Sequence, residues 1–378
     1  MKILLVNYEY KPQGGGAGLG TYNMAKAFQQ MGHEVSLLVG WDYKFGQPEI
    51  LNDIETHIIR MKKKNIHQST ALGLLKFVIE GLFKINQITR NKQFDIIQFY
   101  FSVPTGILKY GLHKKVPYVV SLRGMDIPGL HNDKYNMLSI LTQRINYEVV
   151  KSAAAVTSLS IAAGKYFEEF APDIKLDIIP NAVEYEMYQI KDSYSVQISK
   201  FVAVSRLTEV KKLDLMIKAF AKIHEKYPSV ILDIYGEGRE KDNLKKLIDT
   251  CHAGNYIRLK GYASREKLVC VLPEYDVFSL MSVGDSFGIA FIEAMSAGLP
   301  VICAKAGGPE EIVIDGETGI LAIPDSLDDT VRVIKYCIEN PNIMENMGRK
   351  ARKRVEEYYS ISGVAKQHIA LYERCLRK

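Results

Sequence analysis

No run of about twenty apolar residues occurs in the 378-residue chain, so no segment is expected to span a membrane as a helix. The opening MKILLVNYEY holds too short an apolar run for a secretory leader. Cysteine is scarce. The five residues (Cys251, Cys270, Cys303, Cys337, Cys375) are odd in number, all in the second half, and none forms Cys-x-x-Cys. That pattern suits neither a disulfide framework nor a zinc site and points to a reducing compartment. Low-complexity tracts, short repeats and a strong cluster of metal ligands are all missing. The net charge is a mild +6. The lone tryptophan, Trp41, reads as packing, and His33 reads as a turn residue.

What is present describes an ordinary globular chain, 47% hydrophobic and 24% charged, long enough for two domains. Short apolar, β-branched runs alternate with segments of helical period. In the first half they are KILLVNY, EVSLLVG, THIIRM, DIIQFYF, YVVSLR, AVTSLS and LDIIP. In the second they are KFVAVSRL, VILDIYG, YIRLKGY, VFSLMS, PVICAKAG and GILAIP. Fully apolar strands separated by helices imply parallel sheets covered on both faces. Two such series predict an α/β chain of two Rossmann-like doubly wound domains facing across a cleft. The first covers 1–182 with a C-terminal helix at about 362–378, and the second covers 198–361. The polar stretch at 181–199 joins them.

Glycine is concentrated in KPQGGGAGLGTYNMAKAF (11–28), after the first strand. A dinucleotide fingerprint needs glycines at i, i+2 and i+5, and registers from Gly14, Gly16 and Gly18 meet Leu19, Thr21 and Asn23. A P-loop fits Gly15 and Gly20 but has Thr21 where lysine is required. What remains is a glycine turn feeding a helix N-terminus, either an anion site or a tight turn without a ligand.

The second half is more specific. VSRLTEVKKLDLMIKAF (204–220) sets Arg206 and Lys211 five residues apart at a strand-to-helix junction, and YGEGRE (235–240) is a second glycine turn. In MSVGDSFGIAFIEAMSAG (281–298), Asp285 and Glu293 are eight apart, a little over two helical turns. Asp285 precedes the helix, where an acid either caps the helix or meets a ligand.

This stretch resembles the E-x7-E signature of retaining glycosyltransferases of family 4, which have the GT-B architecture. Other pieces follow in the family's order: GGxGxxxxxMAKAFQQMGHEV (15–35), SLRGMDIPG (121–129), IPNAV (179–183) and SRLxxxK (205–211). The resemblance implies transfer of a sugar from a nucleoside-diphosphate donor, UDP-linked, with the anomeric configuration retained and neither cofactor nor essential metal. It implies that Arg206 and Lys211 hold the diphosphate and take up its charge. Glu293 would accept hydrogen bonds from the ribose. Asp285 and Ser286, with the backbone of Phe287, Gly288 and Ile289, would face the sugar and phosphates. Gly261 and Tyr262 would lie against the base. Gly15 and Gly16 would close over the phosphates, and Arg123 and Asp126 would border the sugar. The chain departs from the family at three points. Asp285 replaces the first glutamate, Arg123 stands where histidine is usual, and Lys212 replaces a glycine and is expected to add charge near the diphosphate.

Between Arg60 and Arg123 lie twelve basic residues and only two acids, Glu80 and Asp95. Within this region 69–90 reads as a helix with an unusually wide apolar face (Leu72, Leu75, Phe77, Val78, Ile79, Leu82, Phe83) beside a stripe of Lys76, Glu80, Lys84 and Gln87. Either it is a core helix with solvated charges, or it contacts an anionic membrane surface. No nucleic-acid reading motif accompanies the charge. The whole suggests an enzyme of bacterial exopolysaccharide or O-antigen biosynthesis, cytoplasmic and at the inner face of the membrane, acting on a glycan or lipid-linked acceptor. A sugar-nucleotide epimerase and a catalytically inactive nucleotide-sugar-binding protein are the competing readings.

Overall fold

The computed structural model describes residues 1–66, 68–130, 138–191 and 197–377, so 192–196 of the joining stretch lie outside the described residues. The chain divides into two compact units, Met1–Asn181 together with the chain from Ile361 onward, and Ala182–Ser360.

In the first unit the strands are β1 (Lys2–Asn7), β2 (Glu34–Trp41), β3 (Glu55–Arg60), β4 (Lys63–Asn65), β5 (Gln68–Ser69), β6 (Ile96–Tyr100), β7 (Tyr118–Ser121), β8 (Ala155–Ser158) and β9 (Leu176–Ile178). Seven of them form one parallel sheet in the order β3-β2-β1-β6-β7-β8-β9. Its central strands are buried along nearly their whole length, which is why they read as unbroken apolar runs. β4 and β5 form a separate antiparallel hairpin. Its residues (KKN, QS) are polar and carry no alternation, so no periodicity announces it. The helices are α1 (Gly16–Gln30), α2 (Ala71–Asn91), α3 (Leu138–Lys151) and α4 (Ile161–Phe170). Thr70 and Ser160 cap α2 and α4, their hydroxyls accepting from the Gly73 and Ala163 amides at 3.0 Å.

In the second unit β10 (Lys200–Val204), β11 (Ile231–Tyr235), β12 (Ile257–Gly261), β13 (Val277–Leu280), β14 (Val301–Ala304) and β15 (Gly319–Ala322) form a parallel sheet in the order β12-β11-β10-β13-β14-β15. Its helices are α5 (Leu213–Lys226), α6 (Lys241–Thr250), α7 (Arg265–Val271), α8 (Ile289–Ser296), α9 (Gly307–Ile312), α10 (Leu327–Glu339) and α11 (Pro341–Tyr358). The last helix, α12 (Ile361–Leu376), returns to the first unit. There Phe28 of α1 meets His368 and Tyr372 edge-on, with ring centroids 6.1 and 5.8 Å apart.

Both sheets are doubly wound, and strand order reverses between β1 and β6 in one and between β10 and β13 in the other. In such sheets ligands bind outside the carboxyl ends of the strands at the reversal. Among the described residues no helix is long and apolar enough to cross a membrane.

Candidate active site

In the second unit the chain leaves β10 through Ser205 and Arg206 and makes a one-turn helix over Glu209–Lys211. Across the reversal it leaves β13 toward Asp285. The two exits meet: the Lys211 ammonium forms an ion pair with Asp285 Oδ1, and both side chains are largely buried. Burial alone raises the Asp285 pKa, but Lys211, Ser282 and Arg206 together hold the carboxyl below its ordinary value. Asp285 Oδ2 is buried without a hydrogen-bond partner among the described residues. Arg206 is exposed and makes no ion pair among them. The capping alternative for Asp285 is therefore corrected: the cap of α8 is Gly288 (φ 104°), and the Asp285 carboxylate takes the lysine instead.

Glycines hold these loops by close approach. A Cβ on Gly236 would fall 1.8 Å from the Ser205 carbonyl oxygen, which explains the YGEG turn found in the sequence. A Cβ on Gly308 would fall 2.5 Å from Phe287 Cα, and the Gly308 amide donates to the Asp285 carbonyl at 2.9 Å. Ser286 lies in this braced loop, Phe287 is buried beneath it, and Ile289 opens α8. Lys212 adopts left-handed backbone (φ 51°, ψ 37°), a conformation that favours glycine. Its ammonium does not join the site. It pairs with Asp325 Oδ1 at 2.7 Å, which corrects the expected added charge.

Glu293, on α8, is buried and keeps different company. Arg265, at the start of α7, places Nε 3.6 Å from Glu293 Oε1, and the buried Tyr188 completes the group. Burial raises the Glu293 pKa, opposed by Arg265 and Tyr188. Burial also works against the Arg265 charge, but Tyr188 and Glu293 prevail and raise its pKa. Arg265 Nε and Nη2 lack a hydrogen-bond partner among the described residues. Gly261 (φ 73°) and the exposed Tyr262 lie at the end of β12, shortly before Arg265. Sequence reasoning missed Arg265 and Tyr188. An arginine at the first helical position after a strand-end glycine, GYASREK, was the available signal.

In the first unit Gly15 is the cap of α1 and Gly16 its first residue. The loop's amides are partly committed: Gly15 N donates to Glu9 Oε2 at 2.9 Å and Gly14 N to the Ile66 carbonyl at 2.7 Å. The chain's own carboxylate thus sits under the turn that the sequence offered as an anion cradle. Asp126 is buried and ties its loop: Oδ1 accepts from the Arg123 and Gly124 amides at 2.8 and 3.1 Å, and Oδ2 from Ser102 N at 2.8 Å. Burial raises its pKa against those bonds. Arg123 extends over the Tyr100 ring, 4.6 Å from its centroid, and donates to Asn181 Oδ1 at 2.6 Å. Burial lowers the Arg123 pKa, opposed by Tyr100 and Asp126, and its Nε lacks a partner among the described residues. Asp126 thus takes the Arg123 amide, while the Arg123 guanidinium goes to Asn181.

The sequence comparisons agree with this architecture. The model of Glycosyltransferase Family 4 matches residues 14–186, and that of Glycosyl transferases group 1 matches 197–354. An N-acetyl-alpha-D-glucosaminyl L-malate synthase of Bacillus anthracis is 23% identical over 97% of this chain and 96% of its own length. An alpha-monoglucosyldiacylglycerol synthase of Acholeplasma laidlawii is 23% identical over 95% of this chain and 93% of its own. Among solved structures, HepE of Anabaena in complex with UDP and glucose superposes with a TM-score of 0.76 at 20% identity, covering 99% of this chain and all of that one.

Proposed function

From the premise that this chain is a GT-B glycosyltransferase of the family-4 type, we propose that it moves a sugar from a UDP-linked donor to a glycan or lipid-linked acceptor in bacterial cell-surface polysaccharide biosynthesis, with retention of configuration. The observation that carries the reading is the meeting of Lys211 and Asp285 at the strand-order reversal, beside an exposed Arg206. One of the three donors of the Lys211 ammonium goes to Asp285, which aims the cation and leaves two for phosphate oxygens. As the glycosidic bond breaks, negative charge grows on the departing diphosphate. Lys211, Arg206 and the N-terminal amides of α8 are suited to receive it. Retention follows if the departing phosphate takes the acceptor's proton on the same face.

Buried polar atoms without partners mark where a ligand is expected. Asp285 Oδ2 suits a sugar hydroxyl, and Glu293 with the spare Arg265 donors suits the ribose. Gly261 and Tyr262 would flank the base. Gly15, Gly16, Arg123 and Asp126 form the acceptor-side part of the assignment. The Acholeplasma relative, named for a glucosylated diacylglycerol, supports a lipid acceptor. The test is a panel of nucleotide sugars scored by thermal shift. A ligand at one hundred times its Kd adds about 2.7 kcal/mol, so the true donor raises Tm clearly. NMR of the product then reads the anomer. No shift with any nucleotide sugar, or an inverted product, contradicts the proposal.

A further inference from the structure

The described surface carries one large apolar strip that no fold element covers. Helix α2 packs with Gly73, Phe77, Gly81, Ile85 and Ile88 inward. A Cβ on Gly81 would fall 2.7 Å from Leu108, and one on Gly73 would fall 2.1 Å from the Lys62 carbonyl oxygen, so this face is fixed against its support. At 100° per residue, Leu72, Leu75, Ile79 and Phe83 then share the opposite side. They are 77%, 56%, 49% and 76% exposed. Tyr110, in the short helix packed along α2, is 60% exposed. The wide apolar face read from sequence is therefore two faces, one buried and one turned to solvent.

The strip is rimmed mostly by positive charge. Exposed Lys62 and Lys64 adjoin the N-terminal end of α2, where Thr70 Oγ1 donates to the Lys62 carbonyl. Exposed Lys114 and Lys115 follow His113, which Arg90 contacts at the C-terminal end. Lys76 and Lys84 lie on α2 itself, and Glu80 is paired with Lys76 at 3.4 Å. We propose that this face of α2 is the docking surface for an anionic lipid bilayer. The apolar side chains enter the headgroup boundary while the lysines reach anionic headgroups. A second copy of the chain would bring like charges together across a two-fold axis, and nucleic acid would leave the apolar strip uncovered.

Flotation with vesicles tests this without reading sugar transfer, so its outcome is separate from that of the proposed function. The protein is expected to float with phosphatidylcholine–phosphatidylglycerol vesicles at low salt, less at high salt, and not with phosphatidylcholine alone. Leu75→Glu with Phe83→Glu, and separately Lys62→Glu with Lys64→Glu, should weaken binding about tenfold or more. Circular dichroism and melting should stay unchanged, since all four side chains are exposed. Three outcomes overturn the proposal: no flotation at low salt, equal flotation by the variants, or dimerisation that the same substitutions abolish without any vesicle binding.

Discussion

Lys211 and Glu293 are both buried, yet each has a partner of opposite charge from a different loop. Glu293 was legible in the sequence through its spacing from Asp285. Its partner Arg265 was not, because pairing across separate strand ends leaves no local pattern. Arg265→Ala strands a buried carboxylate and is expected to destabilise by about 3 kcal/mol. Arg265→Ala with Glu293→Gln should recover much of that in urea unfolding. Equal loss in the single and double variants would show that the pair is not coupled. His368 gives a pH prediction. Burial first, and then Arg123, lower its pKa to about 3. The folded state therefore refuses a proton that the unfolded chain accepts below about pH 6.5. Its stabilising share is complete above that pH and is lost as pH falls toward 3, by about 1.4 kcal/mol per unit. His368→Phe, which removes the titrating group, should flatten the acid side of the unfolding profile. An unchanged profile would remove His368 as a cause.

At the level of elements, all the apolar runs became strands, and the central ones are apolar throughout because parallel strands covered on both faces leave no side for polar residues. The hairpin of β4 and β5 lay beyond reach, since polar residues without alternation give no period to read. The width of the α2 apolar face was visible, but which side packs depends on Gly73 and Gly81 meeting their neighbours. The glycine loop was seen, whereas Glu9 beneath it was not, because a single acid after a strand carries no motif. At the candidate site α9 packs closely on the loop before α8. Gly308→Ala has a Cβ 2.5 Å from Phe287 Cα and must displace that loop. A shift of about 1 Å can cost on the order of 10²-fold in rate, so kcat/KM should fall by roughly ten- to a hundredfold. Wild-type kinetics for this variant would mean that the loop does not position substrate.

For the whole molecule, two sheets each reverse strand order once; Gly15 and Gly16 follow β1, Arg206 and Lys211 follow β10, and Asp285 follows β13. The division into two units follows from the two series of apolar runs, whereas the return of α12 to the first rests on its packing against α1. The pairing of Lys211 with Asp285 does not, because it joins residues 74 apart in sequence through topology alone. On this account the second unit supplies the charge that draws off the leaving diphosphate. The most direct test is the rate of sugar transfer by Arg206→Ala and Lys211→Ala, each shown to be folded by circular dichroism. The account predicts a fall of about 10²–10³ in each. Transfer at the wild-type rate by either folded variant would contradict it.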